Sequence, residues 1–290
     1  MGSNGTMTRI GRGWRLAKGS IGLVRAAPRV MLFPALGMLG GLGAAALSFG
    51  LIGERPWDPG LTWPYVLAFV LSAYAGWFVN GFFGVAFVAM VCRTMEGRPA
   101  SIGEGLAVAR TRIGPIAWWA LLAAGVGAIL DSLRQLIPGG AGERIAGWIL
   151  GTGWTLVSFF AIPILALEGL GPRETLRRSA GLFRQRWGEQ AAGIGGLTAL
   201  FMLVCLPAGI VVGIGIGLLE AAFTAGVILI AIGATFGAAV LVTLSAVTNT
   251  FSLVLYRFAT TGQASGPFSA GELEEAVRRR RRFGRRTPKD

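Results

Sequence analysis

Six long apolar runs, at about residues 30–53, 65–92, 114–130, 145–167, 193–219 and 226–256, constrain this chain more than any other feature. A helix needs roughly 20 apolar residues to cross a hydrocarbon layer about 30 Å thick. A soluble helical domain would have to bury nearly all six runs at once. With 53% hydrophobic and 14% charged residues, the chain has little polar surface with which to do so. The runs therefore predict an all-α polytopic membrane protein with six transmembrane helices. The third run is the shortest and is expected to continue amphipathically through residues 131–137. The first run is too long for the apolar region of a signal peptide and reads as a span.

Charge sets the expected orientation. All Lys and Arg residues except Arg55, Arg134 and Arg144 fall in the N-terminal segment, the 93–113 loop, the 168–190 segment or the C-terminal tail. Six spans place those four regions on one side, and the positive-inside rule makes that side the cytoplasm. Both termini are expected there, in a bacterial plasma membrane. The net charge of +13 is then a topological and lipid-facing feature. The basic run at 278–286 lacks the aromatic interleaving of a nucleic-acid surface, so anionic lipid is its preferred partner over nucleic acid.

A fourteen-residue pattern precedes each pair of runs: RIGRGWRLAKGSIG at 9–22, SIGEGLAVARTRIG at 101–114 and TLRRSAGLFRQRWG at 175–188. In register, its apolar columns include Ile10/Ile102/Leu176, Trp14/Leu106/Ala180 and Ala17/Ala109/Phe183. Lys18, Arg110 and Arg184 share a basic column, and Gly22, Gly114 and Gly188 close the pattern. Apolar residues at i, i+4, i+7 and i+11 form one stripe of an α-helix. The expected unit is a basic amphipathic helix followed by a membrane hairpin, used three times at about 9–92, 101–167 and 175–256. These units make one membrane domain over residues 1–268, followed by a cytoplasmic basic helix or tail at 269–290. Ser101 and Glu104 have the spacing of a capping box, as do Ser269 and Glu272. Pro172 suits a first helical turn, and Pro163 and Pro207 predict kinks in the fourth and fifth runs.

Chemistry is constrained mainly by what is missing. The chain has no histidine, which removes His-dependent nucleophilic triads and His metal sites. Cys92 and Cys205 both lie in apolar runs at positions too distant for a disulfide, and no cofactor site is legible. No carboxylate falls near the middle of a run, where proton relays keep theirs. An enzyme would have to use surface carboxylates such as Glu168 or Glu189, and the reading is that the protein is not an enzyme.

Two sets of candidate residues remain. Asn80, Thr155, Ser158, Ser245, Thr248 and Asn249 lie inside the second, fourth and sixth runs. They either line an intramembrane polar cavity or bond locally between helices. Arg12, Arg15, Lys18, Arg110, Arg112, Arg177, Arg178, Arg184 and Arg186 surround the amphipathic stripes and are candidate contacts for anionic lipid. The glycines at 209, 213 and 217, and at 233 and 237, permit close helix approach, within one molecule, in a homo-oligomer or against a membrane partner.

The segments GRGWRLAKGS near the start, Asn80 with FFGVAFVAMVCR at 82–93, LEGLGPRETLRRSAGLFRQRWGEQ at 167–190 and LYRFATTG at 255–262 resemble an uncharacterised prokaryotic family of six-span membrane proteins. The resemblance covers about residues 9–262 and implies no activity. The architecture is also similar to the membrane domain attached to some glycerophosphodiester phosphodiesterases, but the catalytic barrel of those enzymes is absent. The expected function is that of a non-catalytic component that organises lipid or a partner through its amphipathic collar. The alternative is a carrier or channel for a lipid-like or small uncharged solute.

Overall fold

The computed structural model describes residues 28–52, 62–99, 101–135, 141–186 and 191–261. The amphipathic pattern at 9–22 and the tail at 269–290 lie outside these. A 3-10 turn, Pro28–Met31, leads into α1 (Leu32–Ile52). Next come α2 (Thr62–Met95), α3 (Ile102–Thr111), α4 (Ile113–Gln135), α5 (Ala141–Ser158) and α6 (Ala161–Leu167). The chain continues through α7 (Pro172–Arg186), α8 (Ala191–Gly217) and α9 (Phe223–Thr261). Among the described residues there is no strand.

Each apolar run is helical, and five described helical stretches are long and apolar enough to cross a membrane: Pro28–Leu47, Leu67–Met95, Ile113–Leu130, Leu150–Leu167 and Phe223–Thr261. A shorter apolar stretch, Val204–Gly217, belongs to the 27-residue α8. The helix continues through Pro207, because neighbouring backbone can absorb one missing N–H. The fourth run is interrupted: α5 ends at Ser158, and Phe159 and Phe160 form a turn before α6. Pro163 accounts for the position, since a proline ring collides with the carbonyl four residues earlier, here that of Phe159.

Core and periphery separate along the bundle. Residues 85–91 of α2 are all buried, so this stretch is enclosed on every side. Val30, Phe33, Ala109, Ile116, Trp119, Leu165 and Leu253 belong to the same cluster. A second cluster joins Phe160 and Ile164 to Leu182 and Phe183 of α7 and to 254–256 and Phe258 of α9. The start of α1, the ends of α2, α6 and α9, and the short helices α3 and α7 therefore meet at one end of the bundle. At the other end the helices present Leu39, Leu42, Leu47, Phe69, Leu71, Ile129 and Phe236 outward. Such exposure would cost nothing in hydrocarbon, where helix packing rests on dispersion and close approach.

Glycines mark the close approaches. A Cβ on Gly105 of α3 would lie 2.8 Å from the Ala86 carbonyl oxygen and 3.2 Å from the Phe33 ring. Between α8 and α9, a Cβ on Gly215 would sit 2.8 Å from the Gly226 oxygen, and one on Gly233 would sit 2.7 Å from Val212 Cγ2. Gly209, Gly213 and Gly217 have nothing within 4 Å of that position. Of the alternatives open for those three glycines, packing within the molecule is not what they serve among the described residues: the hairpin closes through Gly215, Gly226 and Gly233. The 209/213/217 row lies off the phase that Ala208, Val212 and Gly215 turn toward α9.

Candidate functional site

The packed end of the bundle gathers the polar side chains. The C-terminal part of α2 carries Cys92, Arg93 and Glu96, and Arg93 pairs with Glu104 of α3 at 3.0 Å. That pairing takes the carboxylate that the sequence reserved for a capping box. Ser101 is in extended geometry at the start of α3 but makes no side-chain cap. Glu96 accepts from Arg98, which holds its carboxyl below the usual carboxylate range. The Arg257 guanidinium of α9 approaches Glu96 at 3.5 Å and donates to the Cys92 sulfur at 3.4 Å. The ends of α2 and α9 are thereby tied together.

A second knot surrounds the loop between α6 and α7. The Tyr256 hydroxyl of α9 donates to Glu168, and Arg178 Nε of α7 donates to the same carboxylate oxygen at 3.2 Å. Gly169 has φ +65°, and its N–H closes the end of α6 on the Ile164 carbonyl. This left-handed capping residue favours glycine. The guanidinium of Arg112, at the α3–α4 junction, lies where a Cβ of residue 169 would be.

Several arginines lie outside these knots. Arg110, Arg177 and Arg184 are exposed, and among the described residues none has an acidic partner. Arg112 is half-buried, its Nε enclosed without a hydrogen-bond partner. Arg178 is held by Glu168. The Arg186 side chain, with Arg12, Arg15 and Lys18, lies outside the described positions. Exposed Ile113 and Leu167 sit beside this rim, so charge and apolar surface adjoin, as at a headgroup boundary.

The polar candidates within the apolar runs divide. Asn80 of α2 and Ser245 and Asn249 of α9 line one cleft with Phe33, Pro34, Gly37 and Phe87. Asn249 Nδ2 donates to Ser245 Oγ at 3.3 Å. The cleft has room for about one water molecule. Thr155 and Ser158 donate to carbonyls of their own helix, Gly151 at 2.9 Å and Trp154 at 2.8 Å. Thr248 is half-buried and does not line the cleft.

Sequence reasoning missed Thr175 and Ser179. The face that α7 buries is Thr175, Ser179, Leu182 and Phe183, with Leu176 and Ala180 on its flank. Two hydroxyl residues four apart in the apolar phase of an amphipathic helix were the available signal. In the repeat alignment Ser179 is equivalent to Gly105, and both touch backbone of the preceding span. Gly105 meets the Ala86 carbonyl, and Ser179 accepts from the Phe160 N–H at 3.1 Å.

Five apolar helical stretches of membrane-crossing length and an arginine-rich rim at one end define the class: a protein that is all-helical among the described residues and of membrane-spanning dimensions. The chain belongs to a family of unknown function, DUF6159, which matches residues 64–266. No curated protein matches it.

Proposed function

We propose that this is a six-span protein of the bacterial plasma membrane, with both termini in the cytoplasm, that acts non-catalytically by gathering anionic lipid around its basic collar. The observation that carries the reading is the set of exposed Arg110, Arg177 and Arg184, which have no acidic partner among the described residues, near exposed Ile113 and Leu167. Guanidinium groups next to apolar surface suit a phosphate-bearing headgroup whose acyl chain continues into hydrocarbon. The length of α9 supports the placement: 39 residues make a helix about 58 Å long, well beyond a hydrocarbon layer of about 30 Å. Its surplus length carries Tyr256 and Arg257 to the level of the collar. The three units of amphipathic helix and hairpin would set the collar around the bundle.

Reconstitution into vesicles of brominated phosphatidylglycerol or brominated phosphatidylcholine tests this by tryptophan quenching. Stronger quenching by the anionic lipid is expected, with the difference removed by Arg110→Gln, Arg177→Gln and Arg184→Gln together. Equal quenching in the wild-type protein would refute the collar. Single cysteines placed at 54–60 should react with an impermeant reagent outside intact cells, and failure would overturn the orientation.

The carrier reading draws on the meeting of Asn80, Ser245 and Asn249. A space that holds about one water favours a packed helix contact over a solute site. Solute flux in proteoliposomes that is abolished by Asn80→Leu would reverse that preference.

A further inference from the structure

The break in the fourth run is completed by a residue from outside that run. Ser158 Oγ bonds back to the Trp154 carbonyl at 2.8 Å, and the Phe159 N–H reaches only three residues back, to Leu156, at 3.4 Å. The next N–H, that of Phe160, has left the helix ladder and donates to Ser179 Oγ at 3.1 Å. Phe160 and Ser179 are both fully buried. From Phe160 onward the ladder resumes, with Ile164 N–H donating to the Phe160 carbonyl at 3.1 Å. A backbone N–H among apolar groups must find an acceptor, and side-chain hydroxyls often supply it where a membrane helix is broken.

Ser179 stands on the amphipathic helix whose other face carries Arg173, Arg177 and Arg184, all exposed. The α7 helix is seated by Leu182 and Phe183 and by the Arg178–Glu168 pair. If it withdraws, Phe160 loses its acceptor. The nearest replacement is the Leu156 carbonyl, reached only when α5 and α6 rejoin through a proline kink. Seating of α7 and breakage of the span are therefore thermodynamically linked: whatever stabilises one stabilises the other.

We propose that α7 is a lever that reads membrane charge: anionic headgroups on Arg177 and Arg184 hold it seated, and Ser179 then keeps the fourth span broken at Phe160. This rests on the anionic-lipid reading of the collar and adds a consequence within the bilayer. A ligand shifts such an equilibrium only by its differential affinity for the two states, and here the seated state alone presents the arginines in place.

The test uses the full chain with Cys92→Ser and Cys205→Ser, and spin-label pairs at Gly153→Cys with Leu167→Cys and at Gly153→Cys with Gly181→Cys. A Cβ at 153 or 181 meets no neighbour within 4 Å, and Leu167 is exposed. In phosphatidylglycerol nanodiscs both distances should be those of the seated structure. In phosphatidylcholine the 153–167 distance should lengthen toward the roughly 21 Å of an unbroken helix, and the 153–181 distance should change with it. Arg177→Gln with Arg184→Gln should give the phosphatidylcholine distances even in phosphatidylglycerol, and Ser179→Ala should lengthen the 153–167 distance there. The arginine pair is on the surface, so it decides the matter even if Ser179→Ala fails to fold. Distances that ignore lipid charge, while the quenching preference for anionic lipid persists, overturn the lever and leave the collar standing. Loss of the quenching preference itself removes the collar, and the lever with it.

Discussion

Replacing Gly105 by alanine sets two effects of opposite sign against each other. In an ordinary helix position the change would be favourable, since alanine exceeds glycine by about 1 kcal/mol in helix propensity. Here the new Cβ would lie 2.8 Å from the Ala86 carbonyl oxygen and 3.2–3.4 Å from two atoms of the Phe33 ring. The ring can rotate aside, but a carbonyl in the middle of α2 cannot. To relieve the contact α3 must lift away, loosening the seat it shares with Ala109 and Phe33. Overpacking of a close-packed site costs about 1–3 kcal/mol, so a net loss of about 1–2 kcal/mol is expected after the propensity gain. Gly103 is the control: it lies in the same helix, is exposed, and a Cβ there meets only Ser101 Oγ at 3.6 Å. Gly103→Ala should be neutral or stabilising by up to about 1 kcal/mol. The assay is reversible unfolding of the full chain in mixed micelles of increasing dodecyl sulfate content, followed by tryptophan fluorescence. If Gly105→Ala is as stable as wild type, α3 does not rest on the backbone of α2, and the account of the packed end fails.

Three further outcomes follow from the same contacts. Gly233→Val should destabilise the α8–α9 hairpin by about 2 kcal/mol or more, because Val212 Cγ2 and the Ala208 carbonyl occupy the space, whereas Gly213→Val should be tolerated; equal losses in the unfolding titration would refute the seam. Glu168→Gln should cost about 1–2 kcal/mol through weakened bonds from Tyr256 and Arg178, and a double-mutant cycle with Tyr256→Phe should show coupling; strict additivity would show that the hydroxyl does not engage the carboxylate. Arg98 holds the Glu96 pKa below the ordinary carboxylate range, so this tie contributes above that range and is lost as pH falls through the folded value. Glu96 is solvent-exposed, so its share of the acid-side loss in the unfolding midpoint, as pH falls from the ordinary carboxylate range toward the lowered folded value, should stay below about 1 kcal/mol. Glu96→Gln should remove that share, and an unchanged slope would exclude the tie.

Much of the helical framework was legible because its cause is local. Apolar run length locates a helix of membrane-crossing size without reference to any partner, and Pro172 did open α7 as its fixed φ suggests. The arginine rim was legible for a similar reason, since charge excluded from hydrocarbon collects where the runs end. The pairing of that charge was not. Arg110, Arg177 and Arg178 look alike in sequence, yet among the described residues only Arg178 is neutralised, by a glutamate ten residues away whose position depends on the α6–α7 loop.

Phase was harder to read than pattern. The stripe drawn through Leu176 and Ala180 falls on the flank of α7, while Thr175 and Ser179 face the protein. Hydrophobicity alone could not rank them, because Ser179 is buried for its acceptor oxygen and not for its apolarity. The glycine rows posed the same problem. The rows at 209/213/217 and at 215 differ only in helical phase, and the choice between them lies in where α9 approaches.

By itself, then, the order of residues determined which segments are helical, which are long enough to span a bilayer, and at which boundaries their positive charge accumulates. These are consequences of solvation, acting on each segment separately. Tertiary structure alone decided which glycines touch, that Asn80 lines a cleft with Ser245 and Asn249 while Thr155 and Ser158 turn to their own backbone, and that a serine on an amphipathic helix completes a break in the fourth apolar run. Those outcomes depend on the rotation of one helix against another, which close packing and hydrogen-bond geometry set and which segment composition does not encode.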